Sequence, residues 1–209
     1  MGHSRVSSPA EEMIEVEKKF IVSQDELARL TAGAHLLGEE KHTDVYYDTP
    51  DHSLTKRSVW LRERSGKFEL KFPLNADLRA KGVTSYDEIE DDLLIARKLG
   101  FPTEEKLGQA ITALGYRSFA TITTTRTKYE KEGFHIDVDD TDFGHSVVEI
   151  EVMVADKQDM APAAQRILDF AVTQGIPVIK NVRGKVIEYL RRNNPEHFHA
   201  LEEAWKTKL

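Results

Sequence analysis

Apolar and polar residues alternate along eight short segments of this chain, which is the period of β-strands that bury one face. The segments are residues 13–22, 41–47, 58–64, 67–72, 84–89, 117–129, 135–139 and 146–154. The third and fourth segments are separated only by Ser65 and Gly66, which is a strong two-residue hairpin signal. Antiparallel pairing of the strands is therefore predicted.

Helical patterns lie between and after these strands. The expected helices cover residues 23–30, 91–99, 103–114, 159–173, 182–192 and 195–206. Ser23 and Glu26 form a capping-box pattern at the start of the first helix, and Gly115 is expected to end the third. This order of elements favours an antiparallel α+β domain. Closure of the strands into a barrel would remove their exposed edges.

Composition narrows the class of protein. The chain has 209 residues, of which 40% are hydrophobic, so it can form one large domain with a substantial core. A single domain over residues 1–209 is expected, with residues 1–11 as a flexible leader. The chain has no long apolar run and no signal-peptide pattern, so a soluble, cytoplasmic protein is expected. The absence of cysteine excludes disulfides and thiolate sites, and the net charge of −7 argues against nucleic-acid binding.

Charged side chains share one face of most of these strands, because residues two apart in a strand point the same way. The rows are Glu15 with Glu17 and Lys19, Trp60 with Arg62 and Arg64, Glu69 with Lys71, Glu88 with Glu90, Arg126 with Lys128, Asp137 with Asp139, and Glu149 with Glu151. One interpretation is a solvent-exposed sheet face, which antiparallel sheets commonly have. Repetition over so many strands favours the other interpretation, an enclosed and hydrated interior with helices over the apolar outer faces.

Such an interior would hold two opposed sets of charges, because the acids and bases fall mainly in different strands. Carboxylate oxygens are hard ligands that suit Mg²⁺ or Mn²⁺, and guanidinium and ammonium groups donate to phosphate oxygens. Each set would repel itself without a counter-ion. A metal-bound polyphosphate neutralises both sets and is therefore the predicted class of ligand.

The motifs of this chain resemble the CYTH, or triphosphate tunnel metalloenzyme, superfamily, and within it the thiamine-triphosphatases of the animal type. They are Glu15-Val16-Glu17-Lys18-Lys19, Tyr46-Tyr47-Asp48-Thr49-Pro50, Trp60-Leu61-Arg62-Glu63-Arg64, Glu69-Leu70-Lys71, Asp137-Val138-Asp139, Glu149-Ile150-Glu151 and the later Lys185. The motifs span nearly the whole chain in order. The resemblance implies an eight-stranded antiparallel β-barrel, the triphosphate tunnel, with helices packed outside.

The resemblance also implies a role for each polar position. It places a divalent metal, Mg²⁺ or alternatively Mn²⁺, on Glu15, Glu17, Asp137, Asp139, Glu149 and Glu151. It assigns the phosphates to Arg62, Arg64, Lys71, Arg126 and Lys185. It makes Lys19 and Tyr46 the catalytic pair that activates water, and Trp60 the ring that stacks on thiamine.

The expected activity is metal-dependent hydrolysis of thiamine triphosphate to thiamine diphosphate and phosphate, by a monomer. The alternatives are an inorganic triphosphatase, an adenylate cyclase, for which no nucleobase pocket is evident, and a non-catalytic polyphosphate-binding module. Neighbouring cations are expected to lower the pKa of Lys19, against the effect of Glu15 and Glu17, so that the amine acts as a base at alkaline pH. For Trp60 the alternative is ordinary core packing. His197 and His199 are interpreted as surface residues.

Overall fold

The computed structural model describes residues 13–74, 82–179 and 182–206, which form eight β-strands and six α-helices. The strands are β1 (Ile14–Phe20), β2 (His35–Asp48), β3 (Trp60–Arg64), β4 (Lys67–Pro73), β5 (Thr84–Ile89), β6 (Arg117–Lys131), β7 (Phe134–Thr141) and β8 (Ser146–Val154). The helices are α1 (Gln24–Thr31), α2 (Asp92–Leu99), α3 (Leu107–Ala113), α4 (Met160–Thr173), α5 (Lys185–Asn193) and α6 (Pro195–Lys206). The predicted leader over residues 1–11 lies outside the described residues.

The eight strands close into one antiparallel barrel in the order β1-β5-β4-β3-β2-β6-β7-β8. Strand β1 completes the closure, because it pairs with β5 on one side and with β8 on the other. The predicted hairpin is present, with Arg64 opposite Lys67 across the turn between β3 and β4. The predicted antiparallel β-barrel with helices outside is confirmed.

Two elements differ clearly from their predicted bounds. Strand β2 begins at His35 instead of residue 41, because the long strand β6 provides hydrogen-bonding partners as far as Glu130. Its first part is mostly exposed, so it lacks the alternation that marks a half-buried strand. Helix α3 begins at Leu107 instead of residue 103, and its N-cap residue Lys106 makes no side-chain capping bond.

The outward faces of the strands pack against the helices in two apolar clusters. One cluster joins Val16, Phe20 and Ile150 of the barrel to α4, with Leu30 of α1 beside it. The other joins Leu61 and Leu70 to α2 and α3. Burial of these faces in the outer layer leaves the alternate side chains of each strand for the inside of the barrel.

Helices α5 and α6 cover one end of the barrel. Tyr46, Ala120 and Ile122 lie on inward faces and are buried against Val186 and Tyr189 of α5. A second apolar cluster joins α5 to α6 through Leu190, Phe198 and Leu201. One end of the interior is therefore apolar and covered. Among the described residues, the helices are all too short or too polar to cross a membrane.

Candidate active site

A cavity of about 450 Å³ enters the barrel, and residues from all eight strands line it. Most of the lining comes from the predicted charged rows. It includes Glu15, Arg62, Arg64, Glu69, Lys71, Glu88, Arg126, Lys128, Asp137 and Glu151. Most of the rows thus face a cavity inside the barrel, and not an outer sheet face. Met13, Leu37 and Met153, which are about half exposed, also line it.

Arg126 shows how the register arranges the charges inside the barrel. It lies directly opposite Asp139 and donates to both carboxylate oxygens of that residue, at 2.5 and 2.7 Å. It also donates to Asp137 and, at 2.8 Å, to Glu149. Burial lowers the pKa of Arg126, but the three carboxylates raise it well above its usual range. The expectation of two separate sets of charges is therefore wrong, since antiparallel pairing interleaves acids with bases.

Asp44 is a second centre of charge pairing, which the sequence analysis missed. Its carboxylate is fully buried and accepts two hydrogen bonds from Arg64, at 2.6 and 2.9 Å. Arg62 and Lys185 lie 3.5 and 3.3 Å from its Oδ2 atom. Burial opposes the charge, yet these three cations hold the pKa of Asp44 well below its usual range. The available signal was its position two residues before Tyr46, on the same face of β2.

The two remaining predicted phosphate ligands are also held by inward carboxylates. Lys185 lies 3.3 Å from Asp139 as well as from Asp44, and so joins the two charge centres. Lys71 pairs with Glu88 and lies 3.5 Å from Glu15. Burial lowers the pKa of Lys71, and these two glutamates raise it by more than that effect. Lys71 is therefore cationic at neutral pH, and both lysines point inward.

Lys19 reaches into the barrel from β1 and pairs with two glutamates. It contacts Glu17 and lies 3.0 Å from Glu149. Burial lowers the pKa of Lys19, but Glu149 and then Glu17 raise it well above its usual range. The expected lowering of this pKa is therefore not what the structure shows. With these neighbours Lys19 is an ammonium ion at neutral pH.

Tyr46 and Lys19 do not touch each other among the contacts of the described residues. The Tyr46 hydroxyl donates to Asp44 at 3.4 Å, and its ring packs against Phe119, 6.1 Å away between centroids. The start of α5 serves both residues, because Gly184 lies against the Lys19 side chain and Val186 packs against Tyr46. The two predicted catalytic residues thus lie near one end of the barrel without forming a hydrogen-bonded pair.

Three carboxylates form a cluster suited to a cation, and two of them, Glu17 and Glu15, also lie near Lys19 and Lys71. One oxygen from each of Glu15, Glu17 and Glu151 lies within 4.8 Å of the others. Burial and then the neighbouring Glu15 raise the pKa of Glu151 to about 10, and burial also raises the pKa of Glu17. The Oε2 atom of Glu15 is buried without a hydrogen-bond partner. A hard divalent cation fits this donor set, since it would satisfy the oxygens and relieve their repulsion.

The six predicted metal ligands therefore divide into two groups. Glu15, Glu17 and Glu151 form the carboxylate cluster, whereas Asp137 and Asp139 both hold Arg126. Glu149 lies between the two groups, because it contacts Lys19 as well as Arg126. The structure thus brings three of the six together as candidate ligands.

Trp60 is partly buried and packs against the covering helices. Its neighbours are the apolar residues Leu190, Phe198 and Leu201 of α5 and α6. Within the described part of the chain, Trp60 is not among the residues that line the cavity. These contacts correspond to the core-packing alternative for Trp60. Because Trp60 lies on the same strand face as Arg62 and Arg64, it is at the covered end of the interior.

Comparisons with known proteins bear on the fold and the site. The family model of the CYTH domain matches residues 13–183. The thiamine-triphosphatase of Homo sapiens is 29% identical over 211 residues, which cover 93% of this chain and 91% of that protein. A solved structure from Pyrococcus horikoshii OT3 has a TM-score of 0.60 at 18% identity and covers 86% of this chain and 99% of its own. A protein from Hippeastrum, provisionally named an adenylyl cyclase and found to have a dominant triphosphatase activity, has a TM-score of 0.55 at 18% identity, covering 86% of this chain and 95% of its own.

Proposed function

This chain belongs to the CYTH domain family, and on that basis we propose that it hydrolyses thiamine triphosphate to thiamine diphosphate and phosphate with a divalent metal ion. One observation carries the proposal. The barrel interior contains both a cluster of three carboxylates, of which Glu15 and Glu151 line the cavity, and several cationic side chains, which together match a metal-bound triphosphate. The choice of thiamine rests on the 29% identity to the human thiamine-triphosphatase over nearly the full length of both chains.

Arg62, Arg64, Lys71, Arg126 and Lys185 are the proposed phosphate ligands. Each is held in place by an inward carboxylate, so little side-chain conformational freedom is lost when substrate binds. Phosphoryl transfer depends mainly on positioning and on stabilising charge at the transferred oxygens. Fixed guanidinium and ammonium groups inside a barrel supply both effects.

Glu15, Glu17 and Glu151 are the proposed metal ligands. A divalent cation supplies charge neutralisation for the phosphate oxygens when it is bound there. Asp137 and Asp139 take a different proposed role, which is to orient Arg126. Glu149 is proposed to fix the positions of the Lys19 and Arg126 side chains relative to each other.

Lys19 is proposed to act as an ammonium ion close to the transferred phosphoryl group. Its raised pKa makes it a hydrogen-bond donor and a positive charge, and it becomes a base only if its pairing with Glu149 and Glu17 is weakened. Tyr46 is proposed to support the phosphate site indirectly, through the hydrogen bond that its hydroxyl donates to Asp44. The role of both residues is tested by whether turnover, and not only binding, depends on them.

Inorganic triphosphate hydrolysis is the second candidate, and the position of Trp60 favours it. The residue expected to recognise thiamine packs against α5 and α6 instead of lining the cavity. The cavity lining itself is dominated by charged groups that a bare triphosphate would satisfy equally well.

Phosphate release with purified protein and Mg²⁺ or Mn²⁺ decides between these functions. We expect the highest kcat/KM with thiamine triphosphate, a lower value with tripolyphosphate and the lowest with ATP. A preference for tripolyphosphate would establish the second candidate. Lys19→Ala should abolish turnover but keep substrate binding, whereas Lys41→Ala, on an exposed part of β2, serves as the matched control. A wild-type protein that binds triphosphates without releasing phosphate would be a binding module.

A further inference from the structure

His42 lies inside the barrel without a hydrogen-bond partner. It belongs to the inward face of β2 together with Asp44 and Tyr46, opposite Thr124 of β6. Its side chain is only 6% exposed, and both ring nitrogens are buried and unpaired. The nearest carboxylate oxygens, of Glu40 and Asp44, are each 3.8 Å from a ring nitrogen, beyond hydrogen-bonding distance. A buried, unpaired imidazole is uncommon and needs an explanation.

Cations surround this imidazole. Burial first, and then Arg64, Lys185 and Arg126, lower the pKa of His42 to about 4, against the opposite effect of Asp44. Glu40 is the other charged group that faces the ring. At neutral pH the ring is uncharged, and a neutral imidazole has one N–H donor and one acceptor nitrogen. The ring therefore places a neutral donor among the cations that are the proposed phosphate ligands.

We infer that His42 is a further substrate-binding residue, whose ring N–H donates to a non-bridging phosphate oxygen. This inference rests on the proposed function, because it places the phosphates between Arg64, Arg126 and Lys185. An oxygen held there would satisfy the protonated one of the two ring nitrogens that the protein leaves unpaired. His42 differs from the cations in one respect that matters for binding: they already have carboxylate partners, whereas its donor is free to meet the ligand.

The test measures binding of inorganic tripolyphosphate to the full-length protein in EDTA, by isothermal titration calorimetry. His42→Phe keeps a planar ring and removes the donor, and we expect it to weaken binding about tenfold or more. His42→Asn and His42→Gln carry an amide donor near the positions of the two ring nitrogens, and one of them should recover most of the affinity. His35→Phe, the same substitution at an exposed position of the same strand, should bind like the wild type.

Ring signals of the wild-type protein give a second measurement that needs no variant. On addition of tripolyphosphate we expect the NMR signal of the His42 ring to shift with the same midpoint as the calorimetric titration. Wild-type binding combined with an unmoved His42 signal, or with unchanged affinity in a folded His42→Phe protein, would overturn the inference alone. Absence of any tripolyphosphate binding by the wild type would instead overturn the proposed function and the inference with it.

Discussion

Lys18 and Lys19 are adjacent in sequence but have opposite environments. Lys18 points outward into the apolar layer, where it is 1% exposed and donates to the carbonyl oxygens of Gly82 and Ile179 at 3.0 Å each. Burial lowers its pKa, whereas Glu149 and Glu17 raise that of Lys19 despite its burial. At the scale of single residues, the strand face on which a side chain lies decides the direction in which its pKa shifts.

Trp60→Ala separates recognition of thiamine from packing of the covering helices. If the indole stacks on the cationic thiazolium ring, its loss removes about 0.5–2 kcal/mol of binding, so KM for thiamine triphosphate should rise roughly two- to thirtyfold. Hydrolysis of tripolyphosphate should hardly change. Steady-state kinetics with both substrates make the comparison, and an equal loss for both would show that Trp60 acts only through its contacts with Leu190 and Phe198.

The first turn of α5 reaches the barrel interior at three consecutive residues. Gly184 caps the helix beside Lys19, Lys185 contacts Asp44 and Asp139, and Val186 packs against Tyr46. A single helix end thus sets the position of several proposed site residues. At the scale of elements, α5 is as much a part of the site as any strand.

Gly184→Ala should lower kcat with little effect on stability. The backbone there has φ −70° and ψ 168°, which alanine adopts without strain, but its Cβ atom would lie 2.9 Å from Cε of Lys19. The lysine must then move, and displacement of a positioned group by about 1 Å can cost about a hundredfold in rate. Phosphate-release kinetics and thermal unfolding measure the two effects.

Gly108→Ala is the matched control for this substitution. An added Cβ atom at Gly108 would meet the Phe68 ring at 3.4 Å, an ordinary contact, and alanine favours the helix α3. Its kcat should equal that of the wild type. If Gly184→Ala also turns over at the wild-type rate, the close contact with Lys19 does not position the proposed catalytic group.

His197 joins α6 to the 3₁₀ turn over Thr55–Arg57, and it is fully buried, so its interpretation as a surface residue was wrong. Thr55 gives its one hydroxyl proton to Asp48, so the Nε2–H group of His197 must be the donor in the 2.8 Å bond to Thr55. The His52 ring stacks on His197 with centroids 3.6 Å apart. Burial, and then His52, lower the pKa of His197 to about 4.

The fold should therefore lose stability in mild acid. An unfolded histidine binds a proton below its ordinary pKa of about 6.5, whereas folded His197 stays neutral down to about 4, so unfolding takes up protons between these values. When the pH is lowered from 7 to 4.5, we expect the free energy of unfolding to fall by about 1–2 kcal/mol less for His197→Gln than for the wild type. Urea unfolding at several pH values gives the slope of the free energy of unfolding against pH. The exposed His199→Gln variant should keep the wild-type slope.

Closure of the barrel brings together charged residues that are far apart in the sequence and lie on different strands. Glu15 and Glu17 come from β1 and Glu151 from β8, which are paired strands far apart in the sequence. Without a cation this cluster keeps a proton, because burial and Glu15 raise the pKa of Glu151. At the scale of the whole molecule, closure of the barrel creates the candidate metal site and makes its charge dependent on what is bound.

A divalent cation should stabilise the folded protein, and more so at higher pH. Metal binding must displace the proton on Glu151, whose folded pKa is about 10, so the rise in Tm on addition of Mg²⁺ or Mn²⁺ should grow between pH 6 and pH 9. Glu151→Gln should remove most of that rise, and Glu104→Gln, at an exposed loop position, should not. A metal-induced shift that is the same in all three proteins would place the cation elsewhere.

Local patterns predicted much of the fold. The bounds of β5, β8 and α6 match the predicted segments, because their apolar periodicity and flanking turns are local signals. The charged rows on β1, β3, β7 and β8 were assigned to one face for the same reason. The signals for Asp44 and His42 were weaker, since each is a single polar residue in a strand whose first part does not alternate.

By itself, the sequence determined which side chains share a face and which residues are candidates for the chemistry, because alternation along a strand depends only on near neighbours. The tertiary structure alone decided which charges meet. The register sets Arg126 against Asp139, β1–β8 pairing brings Glu17 to Glu151, and α5 delivers Lys185 from far along the chain. Such contacts depend on strand order, barrel closure and helix docking, and these also set the pKa of Lys19 and the partners of Trp60.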